Sequence, residues 1–162
     1  LTADHLSASG YEDFLIDAGG DILISGLKQG DAPWRVAIRH PRDSQAVMGV
    51  LPLGRKDGRI AVVTSGDYER FFEQDGERYH HILDARTGYP ARGLASVTIV
   101  APTCALADAL STAVFVLGPE QGLRLLKRFP DAEALLIAER DGNLVPWKTE
   151  GFPLELDSLE LR

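Results

Sequence analysis

The sequence predicts an α+β fold in which a mixed or antiparallel sheet is accompanied by two consecutive helices. Short alternating or β-branched runs recur through roughly the first hundred residues, with little helical periodicity between them. A helical apolar stripe then opens after Thr103 and is broken once, at Gly118-Pro119. The last ordered pattern is a pair of strand-like runs around Asp141-Gly142-Asn143. So many short strands, with so few helices between them, exclude a doubly wound parallel sheet.

The elements follow in order. Leu1 to Ser9 carries apolar residues at Leu1, Ala3, Leu6 and Ala8, a short helical pattern stopped by Gly10. Phe14-Leu15-Ile16 and Asp21 to Ser25 read as strands joined through Asp17-Ala18-Gly19-Gly20. Trp34 to Arg39 alternates and is closed by Pro41. Ala46 to Leu53 and Arg59 to Thr64 are strand-like, with Gly54 through Gly58 expected as the turn between them. Ser96 to Ala101 is a further β-branched run, ended by Pro102. Thr103 can cap the first long helix, whose Leu106, Leu110 and Val114 share one face as far as Leu117. Pro119 sits in the first turn of the next helix, which Leu123, Leu126 and Phe129 line and Pro130 ends. Ala134 to Glu139 and Leu144 to Trp147 form the closing hairpin.

The 162 residues suit one domain, read as spanning 1–162, and 44% apolar with 25% charged residues is the balance of a soluble globule. No apolar run is long enough to span a membrane. A formal charge of −7 repels nucleic acid and anionic lipid unless a local basic patch intervenes. The one cysteine, Cys104, excludes an internal disulfide and a cysteine-based zinc cluster. The opening at Leu1, with no basic or apolar leader, carries no targeting signal and reads as the tail of a longer helix.

Four constellations offer chemistry. Asp108 and Thr112, four apart on a helix, lie one above the other and offer two hard oxygen donors of the kind Mg²⁺ takes. The alternative is a solvent-facing carboxylate and a threonine bonded back to a carbonyl. Asp108 is a lone charge in an otherwise apolar segment, without a helix partner at Cys104, Ala105, Ser111 or Thr112. His81 and Asp84, three apart in an extended stretch, point to opposite faces and do not make a simple dyad. Arg86-Thr87-Gly88 can form an anion-contacting turn or simply a solvated one. Thr64-Ser65-Gly66-Asp67-Tyr68, at the end of an apolar strand, can either cradle a phosphate on backbone amides or cap a short helix. Asp17-Ala18-Gly19-Gly20-Asp21 is by itself a tight turn or bulge.

Taken in order, these blocks resemble the ApbE family of flavin transferases. The match runs through Tyr79-His80-His81-Ile82-Leu83-Asp84-Ala85-Arg86-Thr87-Gly88-Tyr89-Pro90 and Ala107-Asp108-Ala109-Leu110-Ser111-Thr112, and reaches Gly151-Phe152. The resemblance implies a Mg²⁺-dependent enzyme that takes FAD as substrate. Such an enzyme moves FMN to a threonine of a target protein in a flavin-dependent electron-transfer complex and releases AMP. It implies that Asp108 and Thr112 bind the metal and that His81 is catalytic. By the same carry-over, Ser65, Gly66, Asp67, Arg86 and Thr87 contact the flavin nucleotide. It implies a place in the periplasm, free or anchored to the inner membrane, although this chain shows no signal.

The chain departs from the family pattern in two ways. Ala85 stands where a proline is usual. A K-G-Y-A-type segment that the family carries before the equivalent of Leu1 is absent, so the chain reads as the carboxy-terminal part of the enzyme and its site as a half-site. An FAD-binding or accessory module without transfer, an FAD pyrophosphatase and a structural half are the rival readings.

Overall fold

A computed structural model describes residues 1–140 and 142–154. Asp141, in the predicted closing turn, lies outside the described residues. The helix α1 (Thr2–Ala8) precedes the strands β1 (Phe14–Ala18), β2 (Asp21–Gly26), β3 (Trp34–Arg39), β4 (Val47–Leu53) and β5 (Arg55–Gly66). Next come β6 (Phe71–Gln74), β7 (Glu77–His80) and β8 (Ser96–Ala101), then the helix α2 (Cys104–Leu126), β9 (Glu133–Arg140) and β10 (Asn143–Lys148). One six-stranded sheet has the order β1-β2-β5-β8-β9-β10, and all its pairings are antiparallel. The α+β expectation holds.

The central strand β8 is buried at every position, so its alternate residues feed two different cores. On one face Val97, Ile99 and Ala101 meet Ala107, Leu110, Val114 and Phe115 of α2. On the other, Val100 joins Val62, Leu135 and Ile137 beneath Val36, Ile38, Met48 and Leu51 of the β3–β4 hairpin. The result is three layers: helix, sheet and covering hairpin. Each fully buried Leu or Ile in these cores contributes about 2 kcal/mol through area removed from water.

The predicted helix break is present. Gly118, at φ 76° and ψ 176°, leaves the helical region and divides α2 into two segments. Only glycine takes that conformation without strain, and Pro119 then starts the next segment where its missing N–H is harmless. Thr103 caps the first segment, its hydroxyl accepting from the Leu106 N–H at 3.2 Å. The second segment ends at Leu126, about one turn short of Phe129.

Two expectations change. The Gly54–Gly58 stretch is not a hairpin turn: β4 pairs with β3, and β5 starts at Arg55 and pairs with β2 and β8. Ser25 opposes Arg59 while Gly26 opposes Arg55, so the intervening residues are a bulge in one long strand. The second change is the β6–β7 hairpin, which the sequence reading left unassigned. Its turn is Asp75-Gly76, both at positive φ, a combination that matches the twist of a two-residue hairpin.

Candidate functional site

The turn between β1 and β2, the end of β5, strand β3 and the amino-terminal half of α2 enclose a cleft of about 550 Å³. Ser65, Gly66, His81, Asp108 and Thr112, separated by up to 47 positions in sequence, all line it. Asp67, Arg86 and Thr87 do not.

Asp108 and Thr112 stand one turn apart on α2, as their spacing requires. Asp108 has no ion-pair or hydrogen-bond partner for its carboxylate among the described residues. Thr112 ends a hydroxyl chain whose proton order can be read off. Ser111, fully buried, donates to the Asp108 carbonyl at 3.0 Å. Having one proton, it must accept from Ser65 at 2.8 Å. Ser65 in turn accepts from Thr112 at 3.3 Å. The Thr112 oxygen therefore has only lone pairs left for the cleft, the state a cation needs. Asp21 lines the same cleft, and its carboxyl is pushed above the usual range by burial and by the charges of Asp108 and Asp17. Crowded carboxylates beside a lone-pair oxygen fit a hard divalent cation such as Mg²⁺. Among the described residues no group of three His, Cys, Asp or Glu side chains converges as a self-sufficient cage. The donors present suit a metal that keeps waters and phosphate oxygens as its other ligands.

Gly66 is required by packing. A Cβ there would lie 2.5 Å from the Tyr68 ring, which folds back over it. Burial, with Glu69 beside it, pushes the Tyr68 phenol up to about 12, so it stays a neutral donor in the cleft wall. Arg39 reaches from β3 to Glu69 at 2.9 Å. Arg70 also lines the cleft, and among the described residues its guanidinium has no carboxylate partner. Its carbonyl accepts the His81 N–H at 3.1 Å, which fixes the backbone of His81 at the cleft rim.

The remaining predicted residues have partners elsewhere. Asp67 is buried, and both its oxygens accept from Arg42, at 2.7 and 2.8 Å. Arg42 also donates to Glu139 of β9 at 2.6 and 2.9 Å, and Arg78 approaches Asp67 at 3.5 Å. Burial opposes the Arg42 charge, but the bonds to Asp67 and Glu139 hold its pKa above the ordinary arginine value. Arg86 is bound to Asp84 at 2.7 Å on an exposed turn, and this pairing holds the Asp84 carboxyl down at about 2. Thr87 donates to the Asp84 carbonyl at 3.4 Å and accepts from the Tyr89 N–H, closing the same turn.

Sequence reasoning missed Arg39, Arg70 and Ser111. Arg70 directly follows the Thr64–Tyr68 block and Glu69, so its position was a signal; Arg39 had none, because only the covering hairpin brings it over the cleft.

The ApbE family model matches residues 1–136. The chain is 36% identical over 154 residues to the FAD:protein FMN transferase of Vibrio cholerae serotype O1, covering 94% of this chain and 45% of that protein. It is 46% identical over 141 residues to the FAD:protein FMN transferase of Treponema pallidum, covering 82% and 38%. Among solved structures, the apbe protein of Thermotoga maritima superposes with a TM-score of 0.78 at 42% identity, over 95% of this chain and 50% of that one. The flavin transferase ApbE of Vibrio cholerae gives 0.79 at 33% identity, over 94% and 48%. The chain thus spans half or less of the length of these relatives.

Proposed function

The chain belongs to the ApbE family, and from that premise we propose that it supplies one wall of a Mg²⁺-dependent FAD:protein FMN transferase site. The observation that carries this reading is the unpaired Asp108 carboxylate beside the lone-pair face of Thr112, in the cleft that His81 also borders. FAD is the substrate and a threonine of a second protein the acceptor.

In this reading the acceptor hydroxyl forms a bond to the phosphorus of the FMN half. The bond from that phosphorus to the bridging oxygen breaks, and its electron pair leaves with AMP. The hydroxyl proton passes to the imidazole of His81, which is exposed at the rim and can approach an incoming protein. Asp108 and Thr112 would hold Mg²⁺, which when bound neutralises charge on the pyrophosphate. Arg70 is placed to pair with a phosphate oxygen, and Arg39 can do so by releasing Glu69. Tyr68 and the Gly66 backbone shape the wall against which the nucleotide lies.

The test is incubation with FAD, Mg²⁺ and a threonine-bearing acceptor protein, in this chain and in a form extended to the relatives' length. Transfer predicts an FMN adduct on the acceptor by mass spectrometry, with one AMP released per adduct and none formed with EDTA. FMN and AMP released without adduct would favour the pyrophosphatase. Absence of FAD binding in both forms would leave a scaffold.

A further inference from the structure

His81 borders a second depression. An open groove of about 530 Å³ is walled by Phe71, Phe72, Tyr79, Leu83, Tyr89 and Pro90. Among the described residues only Arg70 and His81 line both this groove and the cleft, so these two residues form the rim between them.

The groove concentrates exposed apolar surface. Phe71, Phe72, Leu83 and Tyr89 are 44%, 59%, 53% and 66% exposed, and they are four of the seven large hydrophobic residues that are exposed among the described residues. Isolated exposed apolar side chains need no explanation, whereas a contiguous set does. The walls are also held in place. Phe72 stacks on Tyr79 with centroids 5.1 Å apart, and the Arg78 guanidinium lies 4.3 Å over the Phe71 ring. The opposite wall is pinned by the Leu83–Pro90 bridge and by the Asp84 N–H donating to the Tyr89 carbonyl at 2.9 Å. Among the described residues no carboxylate lines the groove and Arg70 is its one permanent charge, in contrast to the cleft with Asp21, Glu69 and Asp108.

We infer that this groove docks the acceptor protein, receiving an extended segment with apolar neighbours around the hydroxyl that takes the FMN. The inference rests on the transferase reading above. In phosphoryl transfer the attacking and leaving oxygens lie roughly in line on opposite sides of phosphorus. With the nucleotide and its leaving AMP in the cleft, the acceptor must reach His81 through an opening that shares His81 but not the cleft. The groove meets that requirement. Its apolar walls favour Val, Leu or aromatic neighbours, while Arg70 disfavours lysine or arginine beside the hydroxyl.

The test uses Phe72→Ser with Leu83→Ser, two exposed positions whose loss leaves the cores intact. The probes are synthetic peptides with a central threonine flanked by valine and leucine, and the same peptides with lysine flanks. Peptide affinity is read by fluorescence anisotropy and FAD affinity by quenching of flavin fluorescence, in this chain and in the extended form. The expected result is saturable binding of the apolar peptide, about tenfold weaker in the double variant and weaker still with lysine flanks, with FAD affinity unchanged. Equal peptide affinity in variant and parent would overturn the inference, as would no binding to the parent. A fall in FAD affinity would assign the groove to the nucleotide instead. Self-association of the parent lost in the variant would make it a contact between copies. Peptide binding confined to the short form would assign it to further residues of a longer chain. Each of these overturns the inference while leaving the transferase reading standing. A parent that binds no FAD in either form removes that reading, and the acceptor assignment with it.

Discussion

Ser65 and Asp67 are two residues apart, and His80 and His81 are adjacent, yet the members of each pair belong to different environments. Ser65 and His81 face the cleft, where the Asp108 carboxylate, the Arg70 guanidinium and the Thr112 lone pairs have no partner among the described residues. Asp67 and His80 face the opposite way, into a region where the polar groups are spent on one another. There Asp67 holds Arg42, Arg42 holds Glu139, and the His80 Nε2 bonds to the Ala91 carbonyl at 2.9 Å. Extended backbone sends the adjacent His80 and His81 to opposite faces, and β5 ends at Gly66, so the chain turns Asp67 away from the side that Ser65 takes; one block of sequence can thus serve cleft and scaffold at once. Residue type does not separate the two roles. Partner saturation does: the buried Asp67 carboxylate is paired, as burial demands, whereas the exposed Asp108 carboxylate and Arg70 guanidinium stay solvated and open to a ligand.

The largest expected effect is at the unsaturated pole of this comparison. Asp108→Ala removes a metal donor and a charge from a helix that tolerates alanine. In a form that transfers FMN, transfer should fall by about a thousandfold or more, with an unchanged melting curve. Normal transfer by this variant would break the metal assignment.

His81→Ala should come next, lowering turnover by roughly 10²–10⁴ as expected for loss of a positioned base, with FAD affinity close to that of the parent. Arg86→Ala sharpens the contrast, because Arg86 is engaged with Asp84 outside the cleft. FAD titration should show little change for it. A large loss of FAD affinity would mean that the turn carrying Arg86 and Thr87 swings onto the nucleotide, as the family resemblance alone had suggested.

On the saturated side the expected loss is stability. Asp67→Ala leaves Arg42 half-paired and only partly buried, at a cost of about 2 kcal/mol, less than for a fully orphaned buried charge because Glu139 stays in place. Urea denaturation should show the shift, while FAD affinity in the folded protein stays near that of the parent. A variant as stable as the parent with weakened FAD binding would move Asp67 from scaffold to site.

This division marks where the sequence was legible. Strand alternation, the Thr103 cap and the Gly118-Pro119 break are local signals, and the fold follows them. Asp108 and Thr112 were legible because helical spacing alone puts them on one face. The ion pairs of Asp67 and Arg86 were not. The Asp67 partner Arg42 lies 25 residues away on a connection whose course depends on the covering hairpin. The Arg86 partner was only two residues away, but an Asp–Arg pairing and a phosphate-binding turn look alike in sequence. The Asp75-Gly76 hairpin was legible in principle and carries three of the groove's aromatic walls, Phe71, Phe72 and Tyr79. The Gly54–Gly58 bulge was not, since a glycine-rich stretch has the same composition whether it reverses the chain or only widens a strand.

The smallest effect sharpens the comparison within a single dipeptide. His80 is buried, with its ring edge against Phe115 at 5.5 Å, and its Nδ1 accepts the Ile82 N–H at 3.3 Å while Nε2 donates to Ala91. That arrangement needs the neutral imidazole. Burial lowers its pKa below the ordinary 6.5; the Ala91 bond and the Asp67 charge oppose the shift, and His81 and Arg78 add to it. With the folded value depressed, the unfolded chain binds the proton first as the pH falls. The stability from neutral His80 is therefore present above about pH 6.5 and declines as acid approaches the lower folded value. His80→Gln can retain a donor to Ala91 but does not titrate. Its melting temperature should lie below that of the parent at pH 7.5 and fall less steeply between pH 6.5 and 5. The other histidines are common to both proteins, so the difference in slope belongs to His80. Parallel slopes would mean that the His80 pocket accommodates the proton, and the contrast with exposed His81 would then rest on geometry alone.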